Sequence, residues 1–461
     1  MSSQTVEQIR RIFNAESVAL VGATDKEGSF GRLFLEGMRD AGCKKLYPVN
    51  PKREEILGIK AYLSISAVPE RLDAAILLTP PDAVLGLVKE AVENQVGGVV
   101  VFASGFGEMG PEGKELEREI GRIGREGGTR VIGPNCLGFF NPRAGVVTYP
   151  QVLMKGVPTE AGTIGGFSQS GSFVDYLVWF LSTKGVRFSS VVSCGNECDL
   201  AAEDYLEYLG QDENTKVIVS YMEGVNDGRR FFEVAREVSR HKPIILWKGG
   251  LSEQGARAAA SHTGALAGSA AIWQAMFKQA GIVNVSTVEE VVECAVGFSF
   301  LPLPKGRKIA LIGGQGGTGV GTADNCYAAG LELPHLEERT LARLREILPP
   351  VGTSVGNPTD TGVASLLDPG LYEKAIEIVA QDEGIDMILV ISTPVQACLE
   401  YVAAAAKKIS KPLAVSVFAL PESEPGIYQF LSERRVAAYS DPKRAVNVLA
   451  RMAQYAEFLK D

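Results

Sequence analysis

One histidine stands within a run of small residues, and this pairing could support phosphoryl transfer. His262 lies in ASHTGALAGS, residues 260–269, and is one of three histidines in the 461-residue chain. An imidazole nitrogen is a competent nucleophile near neutral pH, and small neighbours let another loop approach it closely. The run therefore predicts a nucleophilic histidine. It is also compatible with a buried histidine held by hydrogen bonds in a tight turn, and the run alone leaves both interpretations open.

Two further turns, each at a predicted helix start, could bind an anion. GFSQSGS contains Ser168, Ser170 and Gly171, and IGGQGGTG contains Gly316 and Gly317. Unpaired N–H groups and the positive end of a helix dipole favour a phosphate at such positions. An ordinary serine N-cap would explain the first turn as well. Close packing of helix on strand, which only glycine permits, would explain the second.

A third set of candidate residues follows the predicted strands near the amino terminus. These residues are Gly22, Thr24, Val49, Lys52, Thr79 and Pro80. The first glycine turn, GATDKEGSFG, is not the GxGxxG of dinucleotide sites, and Lys52 stands where an acidic residue would hold a ribose diol. A lysine suits a phosphate, which favours coenzyme A or NADP as the ligand. The alternative is an exposed surface lysine after a turn.

The elements that must position these residues alternate between apolar strands and amphipathic helices. The runs SVALVGATD, LDAAILLTPP and GGVVVFASGFGE predict buried strands that end in turns, and a helical pattern follows each of them. TRVIGPNCLG is predicted as one further strand. Such alternation indicates parallel βαβ units in a doubly wound α/β sheet, with ligands bound outside the carboxyl ends of the strands.

The pattern of strand, glycine turn and helix recurs in GTIGGFSQSGS and in KIALIGGQGG, which indicates duplicated flavodoxin-like units. Linkers are predicted near residues 145–160 and at LPLPKG, residues 301–306. The predicted domains are therefore residues 1–145, 146–302 and 303–461. A chain of 461 residues agrees with about three domains.

Composition excludes several classes of function. The net charge of −9 argues against nucleic-acid binding. No run approaches the about 18 apolar residues that span a membrane, and MSSQTVEQIRRIF lacks the apolar core of a signal peptide. Cys194 and Cys198 have no second pair to complete a zinc site, so no metal site is predicted. The seven cysteines are expected to be reduced thiols in a cytoplasmic protein.

Taken in order, the landmarks resemble those of the NDP-forming acyl-CoA synthetases, relatives of succinyl-CoA synthetase. They are VGATDKEGSFG, YPVNPK, LLTPP, GPNCLG, GFSQSGS, YMEG, ASHTGALAGS, GGQGGTG and NPTDTG. The resemblance covers essentially the whole chain and is strongest to the separate α subunit of the ADP-forming acetyl-CoA synthetases. It implies a Rossmann-like CoA-binding domain followed by two flavodoxin-like domains.

The resemblance also implies a reaction. Phosphate attacks an acyl-CoA to give an acyl phosphate, His262 takes the phosphoryl group, and ADP becomes ATP. Glu223 matches the family's glutamate that hydrogen-bonds the histidine, although a surface glutamate after a strand is the alternative. Asn135 and Cys136 match the thiol end of the CoA site. The first turn differs from that of succinyl-CoA synthetase, which leaves the CoA contacts of residues 25–29, Ser29 among them, open.

The family's ATP-grasp module, which holds ADP or ATP with Mg²⁺, has no counterpart in this sequence. The resemblance therefore implies a separate ATP-grasp β subunit in an α2β2 heterotetramer. Two alternatives stay open at this point. An NADP-dependent oxidoreductase would explain the glycine turns and Lys52 but not the His262 run. A non-catalytic CoA-binding regulator would have little need for His262 together with Glu223.

Overall fold

The computed structural model describes the chain in five stretches that belong to two compact units. The described residues are 3–148, 159–257, 269–313, 316–419 and 423–460. The first unit comprises Met1–Ser182 and Arg187–Val288, and the second comprises Thr183–Val186 and Glu289–Asp461. Among the described helices, none combines the length and the apolar character that crossing a membrane requires.

The first sheet of the first unit is parallel throughout. Its strands, with a short hairpin of β3 and β4 beside them, are β1 (Ser17–Val21), β2 (Lys45–Val49), β3 (Glu55–Ile56), β4 (Ile59–Lys60), β5 (Ala74–Leu77), β6 (Gly98–Val101) and β7 (Arg130–Ile132). The five parallel strands are hydrogen-bonded in the order β2–β1–β5–β6–β7. The chain thus runs from β1 to β2 at one edge of the sheet and then crosses over to β5, on the other side of β1. The switch point, where ligands bind in open α/β sheets, lies between the carboxyl ends of β1 and β5.

Helices cover the first sheet, whose central strands are buried along their whole length. They are α1 (Ser3–Phe13), α2 (Phe30–Asp40), α3 (Pro81–Glu93) and α4 (Pro111–Gly127). Helix α2 begins after the N-cap Ser29 and buries Phe34, Leu35 and Met38 on one face. Apolar runs bounded by glycine turns therefore become the strands, and residues at helical spacing become the packed helix faces.

The second sheet has seven strands. They are β8 (Gly138–Asn141), β9 (Val146–Val147), β10 (Ile164–Ser168), β11 (Phe188–Ser193), β12 (Val217–Met222), β13 (Ile244–Lys248) and β14 (Val283–Val285). The order is β14–β13–β12–β10–β11–β8–β9, with β10 to β14 parallel and β8 antiparallel to β11. Its helices are α5 (Gly171–Thr183), α6 (Ala202–Gln211), α7 (Gly228–Val238) and α8 (Ala270–Ala280).

The single strand predicted over TRVIGPNCLG is wrong. The structure divides it into β7, a loop over residues 133–137 and β8, which hydrogen-bonds with the second sheet. Gly133 and Asn135 have φ values of +96° and +57°, which no extended strand accommodates. This loop therefore carries the chain from one sheet to the next.

Residues 194–199, here called the bridging segment, fasten the second sheet to the first. The backbone N–H of Asn196 donates to the Pro134 carbonyl at 2.9 Å. The Asp199 carboxylate, whose side chain is 0% exposed, accepts from Arg130 Nε at 2.8 Å and from the Val131 N–H at 2.9 Å. Arg125 Nε donates to the same carboxylate at 3.0 Å. Both hydrogen-bonded backbone and a buried ion pair therefore join the two sheets.

Aromatic packing joins the same two layers near the amino terminus. The ring of Phe13, at the end of α1, lies 5.0 Å from Phe139 on β8 and 5.0 Å from Tyr208 on α6. Stacked and edge-on pairs of this kind contribute about 1 kcal/mol each beyond their buried area. Helix α1 is thereby held against the second sheet although it precedes the first.

The second unit is built on a parallel sheet of four strands in the order β15–β16–β17–β18. Its elements are α9 (Val288–Phe300), β15 (Ile309–Gly313), α10 (Gly317–Ala328), α11 (Glu338–Ile347), α12 (Ala364–Leu367), α13 (Gly370–Ala380), β16 (Met387–Ser392), α14 (Gln396–Ala406), β17 (Leu413–Val417), α15 (Glu424–Glu433), β18 (Ala437–Tyr439) and α16 (Pro442–Phe458). Arg451 on α16 donates to Glu290 on α9 at 2.8 Å, so these two helices pack together.

Glu197 is buried within the bridging segment and 8% exposed. Burial raises the pKa of its carboxyl from 4.5 to about 8, although a hydrogen bond with Gln169 opposes the change. Between these two pH values the folded protein keeps a proton on Glu197 that the unfolded chain has released. The unfolded state then binds fewer protons, so the free energy of unfolding falls as pH rises through this window.

We expect Glu197→Gln to remove this part of the pH dependence. At about pH 5 both side chains are neutral and similar in shape, so the two proteins should have similar free energies of unfolding. Towards about pH 8 the variant should become steadily more stable than the wild type. Urea unfolding across this range measures the difference, with Glu213→Gln at an exposed turn as the control. A difference that does not change with pH would contradict the prediction.

Candidate functional site

The switch point of the first sheet is built on close backbone packing. Gly22 follows β1 with a φ of +90°, and a Cβ there would lie 2.4 Å from the Leu78 carbonyl oxygen. A Cβ on Gly31, in the first turn of α2, would lie 2.4 Å from the Gly22 oxygen. The Gly22 N–H donates to Val49 at 3.0 Å. Glycine is therefore required where the turn and the helix start meet, which leaves backbone N–H groups open to a ligand.

Hydroxyl groups in this first turn hold it in shape. Ser29 is the N-cap of α2, since its Oγ accepts from the Arg32 N–H at 3.4 Å. The same hydroxyl donates to the Lys26 carbonyl at 2.7 Å. Thr24 Oγ1 accepts from the Lys26 N–H at 3.3 Å. Thr24 and Ser29 thus close the turn around the start of α2, next to Gly22.

The neighbouring strand ends bring Thr79, Pro80 and Lys52 to the same edge. Thr79 Oγ1 is buried and has no hydrogen-bond partner in the part of the chain that the structure describes. Pro80 is the N-cap position of α3 and offers no side-chain cap to that helix. The Lys52 N–H donates to Asn50 Oδ1 at 2.9 Å, and Asn50 in turn donates to the Ala23 carbonyl at 2.8 Å. An uncapped helix start, an unsatisfied hydroxyl and an exposed lysine suit an anionic ligand.

Asn135 and Cys136 lie in the loop between β7 and β8. Asn135 Nδ2 donates to Asn196 Oδ1 at 3.3 Å, which links the loop to the bridging segment. Cys136 is 4% exposed, its Sγ lies 3.4 Å from the Val101 carbonyl oxygen, and burial raises the pKa of its thiol to about 12. The thiol is therefore protonated at neutral pH and is a poor nucleophile.

Leu137 brings this loop against the start of α5. Its N–H donates to Ser193 Oγ at 3.2 Å. A Cβ on Gly171 would lie 2.8 Å from Leu137 Cγ, so a larger residue at this position would have to displace the Leu137 side chain. Two separate sets of predicted residues, Asn135 with Cys136 and the serine turn, are thereby brought together in one place.

The serine turn has the geometry of an N-cap. Ser170 Oγ accepts from the Phe173 N–H at 3.4 Å, so the N-cap interpretation of this turn is correct as far as Ser170 is concerned. Ser168 is 1% exposed, and its Oγ accepts from the Ser170 N–H at 3.0 Å. An N-cap satisfies only part of a helix start, because the first N–H groups, here of Gly171 and Ser172, lack intrahelical acceptors in any α-helix. The two interpretations are therefore compatible.

Glu223 lies at the carboxyl end of β12 beside the serine turn. It is 8% exposed, and its Oε1 accepts from the Tyr221 hydroxyl at 3.2 Å. Burial, with the charge of Glu223 as a further cause, raises the pKa of Tyr221 to about 12, so the phenol stays a donor at neutral pH. Its partner in the sequence-based prediction, His262, lies outside the described residues, as does the rest of residues 258–268.

Two residues of this neighbourhood escaped the sequence analysis. Gln169 accepts the Glu223 N–H at 2.6 Å through its Oε1. Lys248 is 3% exposed and donates from Nζ to the Glu223 carbonyl at 2.7 Å, and burial lowers its pKa to about 8. A signal for Lys248 existed, since a lysine at the end of the apolar run IILWK needs a reason to be buried. Gln169 lies inside the motif GFSQSGS, but the predicted anion site includes only the two serines and the glycine that surround it.

The second unit holds the other predicted anion site. Gly316, with a φ of +42°, is the N-cap of α10, and its N–H donates to Asp360 Oδ2 at 3.4 Å. A Cβ on Gly317 would meet no atom within 4 Å, so the packing alternative does not explain this glycine among the described residues. A cavity of about 220 Å³ is lined by Thr318, Thr361, Gly362, Ser365, Tyr372, Ile391, Ser392, Thr393, Pro394 and Phe418. Its many hydroxyl groups suit a small polar ligand.

Comparison with protein families agrees with this architecture. Residues 16–142 match the CoA binding domain, residues 161–298 match the succinyl-CoA ligase like flavodoxin domain, and residues 309–459 match the ligase-CoA domain. The predicted fold class, a Rossmann-like CoA-binding domain followed by two flavodoxin-like domains, is confirmed.

Relatives in archaea cover nearly the whole chain. It is 36% identical to the α subunit of acetate–CoA ligase [ADP-forming] I from Pyrococcus furiosus, over 98% of both chains. It is 37% identical to acetate–CoA ligase [ADP-forming] I from Archaeoglobus fulgidus over 97% of this chain, but it spans only 64% of the length of that relative.

A solved structure of a similar protein has the same fold. The acetyl-coenzyme A synthetase 1 of Ca. Korarchaeum cryptofilum, in complex with phosphate and ADP, matches with a TM-score of 0.90 and 33% identity, over 98% of this chain and 97% of that one. Close similarity in sequence, domain content and fold therefore identifies the chain as a member of the ADP-forming acyl-CoA synthetases, in the succinyl-CoA synthetase superfamily.

Proposed function

We propose that the chain is the α subunit of an enzyme that converts an acyl-CoA, phosphate and ADP into the free acid, coenzyme A and ATP. One observation carries the proposal. Residues 135–137 and the start of α5 come together around the contact of Leu137 with Gly171, and Glu223 lies at the same helix start through Gln169. A thioester site, a phosphate site and a carboxylate for a histidine are the parts that such a reaction needs.

The first step is attack of a phosphate oxygen on the thioester carbonyl carbon. The carbon–sulfur bond breaks, coenzyme A leaves as a thiolate that takes up a proton, and an acyl phosphate forms. The switch-point residues hold the nucleotide end of coenzyme A, with Asn135 and the Cys136 backbone at its thiol end. The N–H groups at the start of α5 hold the phosphate beside Ser168 and Ser170. Fixed dipoles of this kind stabilise developing charge without reorganising.

In the second step an imidazole nitrogen of His262 attacks phosphorus. The bond between phosphorus and the acyl oxygen breaks, and the carboxylate leaves. Glu223 accepts a hydrogen bond from the other ring nitrogen, which orients the imidazole and stabilises its positive charge. The start of α10, with Gly316 and Gly317 next to the hydroxyl-lined cavity, is proposed as the second anion site.

The last step, transfer of the phosphoryl group to ADP, is assigned to an ATP-grasp β subunit. In this proposal the nucleotide and its Mg²⁺ bind to that partner, and two copies of each chain form an α2β2 heterotetramer in the cytoplasm. The α-subunit name of the Pyrococcus furiosus relative, which this chain matches over 98% of both lengths, supports a separate partner chain.

We expect the complex to incorporate label from radioactive phosphate in the presence of acetyl-CoA. The label should be acid-labile and alkali-stable, as expected for a phosphoramidate. His262→Ala should abolish labelling and leave CoA binding intact. Glu223→Gln should slow labelling by on the order of a hundredfold. The glutamine side chain has a shape similar to that of glutamate but lacks the charge that stabilises the imidazole.

Gel autoradiography after acid and alkali treatment measures the label, and calorimetry measures CoA binding. His241→Ala, at an exposed turn, is the matched control and should label normally. Labelling of His262→Ala at the wild-type rate would show that the histidine is not the phosphoryl acceptor. CoA binding without labelling in the wild-type complex would favour a non-catalytic CoA-binding regulator.

We expect Lys52→Ala to weaken binding of coenzyme A more than binding of dephospho-CoA. A charge-assisted contact with the ribose phosphate should contribute about tenfold in affinity, and dephospho-CoA lacks that phosphate. Lys89→Ala, at an exposed position on α3, serves as the control in the same calorimetric titrations. Equal losses for both ligands would show that Lys52 does not contact the ribose phosphate.

A further inference from the structure

The peptide groups of Glu223 and Gly224 are held by a side chain instead of a strand. Gln169 Oε1 accepts both N–H groups, from Glu223 at 2.6 Å and from Gly224 at 3.1 Å. Gln169 Nε2 donates to the Gly224 carbonyl at 3.1 Å. Its backbone N–H donates to the Tyr221 carbonyl at 3.1 Å. The amide of Gln169 therefore continues the pairing of β10 with β12 beyond the end of both strands.

Lys248 holds the same peptide from the opposite side. Its Nζ donates to the Glu223 carbonyl at 2.7 Å and also to the Gly249 carbonyl. The ammonium also makes a cation–π contact with Trp273 on α8, since it lies 4.9 Å from the centre of that ring. Two carbonyl groups and one ring thus surround a buried cation, which would be costly to bury without them.

The two contacts together immobilise the backbone from which the Glu223 carboxylate extends. The residue is past the end of β12, where a loop would ordinarily leave its N–H and C=O to water. Here the N–H is bound by Gln169, one residue past β10, the C=O is bound by Lys248 on β13, and the carboxylate is bound by Tyr221. Such restraint matters most where a carboxylate must meet a ring nitrogen within a few tenths of an ångström.

The orientation of the Gln169 amide is itself determined. Its Oε1 accepts from two N–H donors, and its Nε2 donates to the Gly224 carbonyl. The opposite orientation would place NH₂ against both donors and is excluded by this pattern.

We propose that Gln169 and Lys248 are positioning residues that set the Glu223 carboxylate for His262, an inference that rests on the proposed function. Gln169 immediately precedes Ser170, the N-cap residue of α5. The N–H groups that would hold the phosphoryl group and the carboxylate that would hold the imidazole are therefore tied to one another by a single side chain. The geometry of phosphoryl transfer to the histidine is fixed by this tie rather than by Glu223 alone.

The test isolates the histidine phosphorylation step. Acetyl phosphate supplies the phosphoryl group directly, so the rate of phosphohistidine formation in the complex is measured without the thioester step. Gln169→Ala and Lys248→Met should each slow this rate by about tenfold or more while leaving CoA affinity unchanged. Gln211→Ala, at the exposed end of α6, is the matched control.

A double-mutant cycle separates positioning from a structural role. If Gln169 acts through Glu223, then Gln169→Ala made in the Glu223→Gln background should slow the rate by no more than about twofold further. An effect of the same size in both backgrounds would overturn the proposal. Gln169→Glu, which keeps an acceptor for the two N–H groups but loses the donor, should recover part of the rate lost in Gln169→Ala.

Failure of the clamp and failure of the proposed function give different results. If the wild type takes no label from acetyl phosphate, or if Glu223→Gln leaves the rate unchanged, the proposed function is wrong. If both behave as expected while Gln169→Ala and Lys248→Met keep the wild-type rate, only the clamp is wrong. Urea unfolding of each variant confirms that it is folded. If Lys248→Met does not fold, the double-mutant cycle of Gln169→Ala with Glu223→Gln still tests the proposal.

Discussion

The buried carboxylate of Asp199 is the interaction on which the arrangement of the first unit depends. With its side chain 0% exposed it must be compensated, and Arg130, Arg125 and the Val131 N–H provide that compensation. Removing one partner from a buried ion pair typically costs about 3–5 kcal/mol, so the carboxylate strongly prefers one position against β7. That preference fixes the bridging segment, in which Asn196 contacts Asn135 on one side and the Cys194 N–H donates to the Ser168 carbonyl at 2.7 Å on the other. The thioester and phosphate halves of the proposed site therefore belong to one rigid body.

The same arrangement explains why the proposed chemistry relies on backbone dipoles and buried carboxyl groups. Helix starts supply N–H groups whose positions are set by the sheet. Glycine or serine residues stand at the starts of α2, α5 and α10. Mobile cations would have to be oriented again at each step, whereas fixed dipoles need no reorganisation when charge develops. Lys248 is a buried cation near this site, but its ammonium donates hydrogen bonds to two backbone carbonyl groups. It therefore holds the backbone and not a substrate.

Local patterns were sufficient to predict most of the buried strands and the glycine turns at their carboxyl ends, because apolar runs and turn residues act over a few positions. The roles of Gln169, Lys248 and Asp199 depend on partners 25 to 74 residues away, which no local pattern encodes. The error over TRVIGPNCLG has a different origin. Its apolar residues do form strands, but Gly133-Pro134-Asn135 is itself a local turn signal, and the positive φ values at Gly133 and Asn135 turn the chain into the next sheet.

Glycine at two positions determines how closely the two halves of the site approach. A Cβ on Gly171 would collide with Leu137 Cγ at 2.8 Å, and one on Gly195 would collide with the Pro134 oxygen at 2.1 Å. Both contacts join the loop after β7 to the second sheet, one at the start of α5 and one in the bridging segment. A larger residue at position 195 would collide with the backbone of the loop that carries Asn135, whereas one at position 171 would have to displace the Leu137 side chain. In the proposed site, the approach of this loop to the N–H groups of α5 therefore depends on small residues, and the ion pairs of Asp199 hold the bridging segment against β7.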